Sequence, residues 1–296
     1  MTQLAAVSPA ARSILITGAS SGIGYCVAHG LAKKGWQVIA SARQPDDVSR
    51  LRDEGLEAVL LDVADDDSIA GAVAATLART NGKLDALFNN AGFGVPGAVE
   101  DLSRDAMRYQ FETNVFGTLA LTNALLPVMR TQGYGRVMIN GSILGYAAMP
   151  YRGAYNASKF ALEGLADTLR QELHGSGIFV SLIEPGPVTS RFRPNAQQQF
   201  LRWIRPEASF HKKSYEAMEA RLNKRGPANP FTLPPEAVLA VVERILQSNR
   251  PAARYPVTIP AHAFWYLKKW LPQTWLDALL LKASGDEPGY AYGRRS

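Results

Sequence analysis

Cysteine is almost missing from this chain. Among 296 residues there is one, Cys26, so no internal disulfide can form. That fits a reducing compartment, and a cytoplasmic protein is expected. Cys26 falls in a helical stretch and is expected to fill a small core position. The four histidines, His29, His174, His211 and His262, are scattered without ligand spacing, so a metal site is not expected. No run of 18 uncharged apolar residues occurs, which argues against a membrane-spanning helix. The opening MTQLAAVSPAARS has neither a charged cluster nor a long apolar core and does not read as a secretion signal. What remains is 47% hydrophobic and 20% charged, ordinary for a soluble globular chain with a large core.

The net charge of +6 is unevenly spread. Residues 1–189 hold 15 basic and 18 acidic side chains, whereas residues 190–225 hold 9 and 3. The basic character belongs to the C-terminal third, which suits an anionic ligand, a membrane surface or an acidic partner. No nucleic-acid motif accompanies it, and nucleic acid is not expected as a partner.

Short apolar runs alternate with helical patterns. Strands are expected at 13–18, 37–42, 57–63, 85–92, 135–142 and 179–186. Helices are expected at 23–35, 46–54, 66–80, 103–131 and 153–175. The strand runs are continuously apolar rather than alternating, the mark of a parallel sheet covered on both faces. The expected fold is α/β, a doubly wound (Rossmann) parallel sheet flanked by helices, in a single domain over 1–296. After Gly186 the character changes. Residues 190–233 are basic, aromatic and helical in pattern, with breaks expected at Pro194, Pro206, Pro227 and Pro230. A helix at 235–247 and a last strand at 253–259 follow, then an amphipathic helix over 262–282 with Pro272 in its middle.

TGASSGIG (17–24) follows the first strand and opens the first helix. Gly18, Gly22 and Gly24 allow close backbone approach, and a helix N-terminus favours a pyrophosphate. A nucleotide is therefore expected on this loop. Taken alone the loop also fits an ordinary strand-to-helix turn. Tyr155 and Lys159, in YNASK, stand four residues apart in a helical stretch and so share a face. That pair alone also fits a solvated surface.

The motifs in order are TGASSGIG, LDV (61–63), NNAG (89–92), Asn114 in TNVFG, Ser142 in NGSILG, YNASK (155–159) and PGPV (185–188). In that order, the chain over about 12–260 resembles the short-chain dehydrogenase/reductase family, on the side of its hydroxysteroid and retinol dehydrogenases and aldehyde reductases. The resemblance implies a core at 12–189 that binds the cofactor and carries the reaction. It also implies a substrate cover at 190–233 and dimers or tetramers through the helices at 103–131 and 153–175.

A hydride added to a carbonyl carbon leaves charge on oxygen, which needs a proton donor and a hydrogen-bond partner. A free phenol has a pKa of about 10, and a neighbouring ammonium would lower it. Tyr155 is the expected acid or base and Lys159 its neighbour, which the family also sets on the nicotinamide ribose. Ser142 would donate to the substrate oxygen. Asn114 would hold a water linking Lys159 to solvent, as the resemblance implies. Ser142 as a turn cap and Asn114 as a tolerated helix polar are the plainer readings. By resemblance, Ser20, Ser21 and Ile23 stand beside the nucleotide on the glycine loop, Asn90, Ala91 and Gly92 line the adenosine ribose, and Asp62 and Val63 border the adenine. Pro185, Gly186, Val188 and Thr189 approach the nicotinamide amide. An acid ending the second strand would favour NAD, but Ser41, Ala42 and Arg43 stand there, so NADP(H) is expected, with Arg43 on its 2′-phosphate.

Phe192, Phe200, Trp203, Ile204 and Phe210 are expected to form an apolar lid, facing Phe93, Val95, Leu144, Met149 and Tyr151. Such a pocket suits a bulky lipophilic alcohol or carbonyl. The 262–282 segment suits either a membrane interface or packing on the body. An NADP-dependent oxidoreductase leads. An epimerase or dehydratase, or a non-catalytic NADP-binding sensor, remain as alternatives on the same fold.

Overall fold

The sheet begins with four residues that are all buried. β1 (Ser13–Ile16) is an interior strand, third of seven parallel strands. The others are β2 (Gln37–Ala42), β3 (Glu57–Leu60), β4 (Ala86–Asn89), β5 (Gly135–Asn140), β6 (Ile178–Glu184) and β7 (Arg254–Pro256). Their order is β3-β2-β1-β4-β5-β6-β7. Successive strand side chains point to opposite faces, and both faces are dry. Ile14 and Ile16 meet one core cluster and Leu15 the other. The first cluster takes α1 (Gly22–Ala32), α2 (Pro45–Asp53) and α9 (Glu236–Gln247). The second takes α3 (Asp66–Arg79), α5 (Thr118–Gln132) and α6 (Gly153–Glu172). Two covered faces explain why the strands read as unbroken apolar runs. The winding reverses between β1 and β4, and ligands of open α/β sheets bind in the crevice at that point.

The computed structural model describes residues 12–224, 226 and 231–285. The opening segment, the breaks expected at Pro227 and Pro230, part of the 190–233 segment and the last residues lie outside the described residues.

Three element boundaries differ from the pattern reading. The helix expected at 103–131 is α4 (Arg104–Phe111), a six-residue π turn (Glu112–Gly117) and α5. The turn lies against β3's exit, where a Cβ on Gly117 would come 2.1 Å from the Val63 carbonyl oxygen. Only glycine permits that approach. Pro194 does not break its segment. It is the third residue of α7 (Phe192–Trp203), in the first turn, where the missing N–H has no intrahelical partner to lose. The expected helix at 262–282 is two, α10 (Ile259–Trp270) and α11 (Gln273–Ala283), parted at Leu271 and Pro272. A residue before proline is pushed out of the helical region, and Leu271 is extended.

The later helices have their own small cores. α7 and α8 (Lys212–Asn223) bury Phe200, Ile204, Tyr215, Met218 and Leu222 against Ala98 and Tyr151. The Tyr215 hydroxyl accepts from the Ala98 N–H at 2.9 Å and donates to Asp101. α11 drives Leu276 and Leu280 onto Tyr146 and Ala147, with Phe264 and Trp265 of α10 beside them. Each such buried leucine is worth about 1.5–3 kcal/mol, which fastens the C-terminal hairpin to the chain just after Ser142. No helix among the described residues is long and apolar enough to cross a membrane.

Candidate active site

The glycine loop is shaped by what it must approach. Gly18 and Gly22 have φ of +64° and +58°, a region that suits glycine. A Cβ on Gly24 would stand 2.4 Å from the Gly18 carbonyl oxygen. The first turn of α1 carries no acid and no side-chain cap, so its amides are not claimed by a carboxylate. This is a cradle that side chains would fill, and it fits a pyrophosphate.

NNAG fastens the cradle. Thr17 Oγ1 accepts from the Asn90 and Ala91 N–H groups, both at 2.9 Å. Asn90 Nδ2 donates to the carbonyls of Thr17 at 2.9 Å and Gly18 at 3.2 Å. Its Oδ1 accepts from Asn140 Nδ2 at 3.0 Å. The Asn90 side chain is thus spent on steadying the loop. Arg50, which the sequence reading missed, donates from α2 to the Ser20 carbonyl at 2.8 Å. Arg43, just past β2, is exposed and no acid ends that strand. Asp62 accepts from the Ala64 N–H at 3.0 Å, and Val63 beside it is buried.

One cleft of about 1540 Å³ runs from the glycine loop to the C-terminal helices. Ile23, Asn90, Gly92, Ser142, Leu144, Met149, Tyr155, Lys159 and Phe192 line it, as do Pro185, Gly186, Val188 and Thr189. Gly186 is needed where the chain crosses Thr258, since a Cβ there would fall 2.1 Å from Thr258 Oγ1. Ser142, at the exit of β5, accepts from the Leu144 N–H at 3.0 Å, the turn-capping role the plainer reading gave it. It also shares a hydrogen bond with the Tyr155 hydroxyl.

Lys159 is buried and donates to the Asn140 carbonyl at 2.6 Å. Its ammonium stands 5.6 Å from the Tyr155 ring centroid. Burial drives Lys159 down to about 8. Tyr155 keeps part of its ring open to the cleft, yet its apolar surroundings push the phenol up to about 12, against a smaller downward pull from Ser142. The phenol's net shift is thus upward, where a lowered phenol was expected from Lys159. The ammonium faces the ring and is spent on the Asn140 carbonyl, while desolvation dominates.

Asn114 lies at the junction of α4 and α5. It sits in the π turn, buried, and its amide clasps the backbone of Phe93, accepting at 3.1 Å and donating at 3.0 Å. It donates as well to Ser158 Oγ at 3.1 Å, and Ser158 donates to the Tyr155 carbonyl at 2.8 Å. Asn114 thus ties the NNAG exit to the first turn of α6. Irregular π turns recur at such sites, but periodicity gave no sign of this one.

The expected apolar lid is mostly core. Phe200 and Ile204 are buried within the α7–α8 cluster, Trp203 packs on Tyr109, and Phe210 is 74% exposed. Phe192 alone of the five lines the cleft, edge-on to Tyr155 with centroids 5.1 Å apart. On the other wall Leu144 and Met149 line the cleft, whereas Phe93 packs on Tyr109 and Tyr151 is core. Val95 touches only a side cavity of about 60 Å³ beside Tyr155. Tyr151 holds a left-handed φ of +58°, costly for an aromatic residue, kept by its edge contact with Tyr215 and a 3.3 Å hydrogen bond to His211. Unforeseen were Arg152, Arg193 and Arg221 on the cleft wall. Cys26, expected in the core, is only half-buried on α1, and burial with Glu236 nearby raises its thiol to about 11. No cluster of three metal-ligating side chains occurs among the described residues.

A doubly wound parallel sheet with a glycine cradle at its switch point defines a protein of the Rossmann type. The chain belongs to the short chain dehydrogenase family, whose profile matches residues 12–200. It is 42% identical over 269 residues to the uncharacterized oxidoreductase YbbO of Escherichia coli, covering 91% of this chain and 94% of that one. It is 36% identical over 262 residues to 17-beta-hydroxysteroid dehydrogenase type 1 of Homo sapiens, covering 83% and 77%. An actinorhodin polyketide ketoreductase solved with NADPH superposes with a TM-score of 0.69 at 27% identity, covering 85% of this chain and 97% of that one. The chain is thus an oxidoreductase of this family, among structural relatives that carry nicotinamide dinucleotides.

Proposed function

We propose that the protein is an NADPH-dependent reductase of bulky lipophilic aldehydes or ketones, of retinoid, steroid or long-chain type. The observation that carries this reading is the juxtaposition of Ser142, Tyr155 and Lys159 on the floor of a large cleft next to the glycine cradle. NADPH held along that cradle supplies the hydride. Tyr155, protonated at neutral pH, hydrogen-bonds the carbonyl oxygen and gives up its proton as charge develops there. Ser142 donates a second hydrogen bond to that oxygen. Lys159 holds a positive charge below the site and orients the cofactor ribose. Asn114 positions the start of α6 rather than touching the substrate. Exposed Arg43 favours a 2′-phosphate, and Asp62 and Val63 border the adenine.

The cleft exceeds the usual few hundred Å³ of a small-ligand site, so it has room for substrate beside cofactor. Leu144, Met149, Phe192 and Phe264 give its far half an apolar wall, with residues 190–224 as cover. Substrates of this class reside in lipid rather than water, which favours work at a membrane surface. A dimer or tetramer through α5 and α6 is supported by exposed Phe116, Leu119 and Phe160, although Lys268 of α10 stands over the Phe160 ring at 4.8 Å.

The test is NADPH oxidation across a panel of aldehydes and ketones, with NADH and Tyr155→Phe as controls. Turnover of the apolar members, weaker with NADH and at least about a hundredfold lower in Tyr155→Phe, is expected. Turnover that survives Tyr155→Phe refutes the assignment of the proton donor.

A further inference from the structure

The C-terminal hairpin leaves a face that no other described part of the chain covers. α10 turns Ala261, Phe264 and Trp265 inward, at the spacing of one helical stripe. Its opposite stripe runs Ile259, Ala263, Tyr266 and Trp270, with Ile259 69%, Tyr266 58% and Trp270 82% exposed. α11 buries only Leu276 and Leu280 and exposes Trp275 at 66%, Leu279 at 40% and Leu281 at 47%. Two exposed tryptophans on adjoining helices are a large apolar surface for a water-facing hairpin.

The hairpin also begins and ends on the cleft. Ile259, Ala263 and Phe264 line it from the start of α10, and Ala283, Ser284 and Gly285 line it from the end of α11. The exposed stripe therefore forms one rim of the opening. The charge on the hairpin has one sense. Lys268, Lys269 and Lys282 face a single acid, Asp277.

We propose that the α10–α11 hairpin docks on an anionic lipid surface, with Trp270 and Trp275 in the headgroup layer and the cleft opening into the bilayer. Tryptophan favours that layer, where its ring is half in hydrocarbon and its N–H stays wet. Lysines beside it are drawn to anionic headgroups. A second copy of the chain fits less well. An isologous contact would bring lysines against lysines and would close the cleft mouth. Docking itself is independent of the reductase reading. Delivery of substrate from the bilayer rests on that reading.

The test is co-sedimentation of the full chain with phosphatidylcholine vesicles, with and without phosphatidylglycerol. The double variant Trp270→Ser/Trp275→Ser and the single variant Lys282→Glu are run alongside. All three positions are exposed, so folding should be kept, and circular dichroism checks it. Binding is expected only with the anionic lipid, to weaken at high salt, and to fall about tenfold in the double variant and several-fold in Lys282→Glu. Absence of binding by the full chain overturns the proposal. So does a dimer, seen by light scattering, that the tryptophan variant converts to monomer, since the face then belongs to a second copy. Turnover of a water-soluble aldehyde separates the two readings. Its loss in the unmodified protein removes the reductase reading and leaves vesicle binding to be judged by itself.

Discussion

Replacing Asn114 by alanine separates two roles for that residue. The side chain makes three hydrogen bonds in a buried position, two to the Phe93 backbone and one to Ser158. Their consequences on removal differ. The Phe93 carbonyl still accepts from Gln110 Nε2 at 2.7 Å, so it is not orphaned. The Phe93 N–H loses the acceptor it has in the structure, which costs about 1–3 kcal/mol in a partly buried site. Ser158 keeps its bond to the Tyr155 carbonyl and loses only a donor, about 0.5–1.5 kcal/mol. The total is about 2–4 kcal/mol, allowing for a little room left by the shortened side chain. Urea unfolding at neutral pH measures it directly. The clasp also ties Gly92 and Phe93 to the first turn of α6, so NADPH affinity and kcat should fall together with stability. A residue that merely holds a water would instead lose activity with its unfolding midpoint unchanged. A stability loss below about 1 kcal/mol with a large drop in kcat would refute the clasp as the source of the effect and favour the water-holding role.

Other outcomes follow from the same geometry. With Lys159 at about 8 and Tyr155 at about 12, kcat/KM for reduction should be flat near neutrality and fall as pH rises through about 8, as the lysine loses its charge. An activity limb at markedly higher pH would mean that Lys159 is not the group titrating. For stability the same lysine acts in the opposite sense. Its pKa is lowered on folding, so its burial cost is fully present below about 8 and is relieved as pH rises toward the ordinary lysine value. Arg43→Ala should raise KM for NADPH about tenfold or more and leave KM for NADH nearly unchanged, by steady-state kinetics with both cofactors. Equal effects on the two would remove Arg43 from the 2′-phosphate. Glu184 is fully buried, and burial with nearby Asp167 pushes its carboxyl up to about 8, although Arg254 touches it at 2.8 Å. The guanidinium is shared with Glu163 and Asp167, so it cannot neutralise all three. A raised carboxyl stabilises the fold while protonated. That stability is present below the ordinary carboxylate range and is lost as pH rises through about 8. Glu184→Gln should therefore shrink the drop in unfolding midpoint between about pH 6 and about pH 9, and an unchanged drop would show that another group sets it.

Strand and helix order was written in the chain because each element carries its own signal. β1, β2 and β4–β6 are apolar on both faces, and that pattern belongs only to a sheet covered on both sides. The glycine loop was legible for the same reason. Gly18, Gly22 and Gly24 answer backbone demands that no other residue meets as well, so they stand out in a single sequence. Tyr155, Lys159 and Ser142 were readable as a set through the order of the motifs, and the fold then brings them to one cleft.

What the sequence could not decide depends on partners distant along the chain. Whether Phe200 faces substrate or core turns on Tyr215 and Met218, which reach it only once α7 and α8 pack. Asn114 became a clasp because Phe93 and Ser158 converge on it from 21 positions before and 44 after. The Tyr155 phenol is raised because burial, a property of the assembled cleft, outweighs the hydrogen bond from Ser142. Periodicity determines which face of an element is apolar. Only packing determines which neighbour covers that face, and for the outer stripe of α10 and α11 no described part of the chain does.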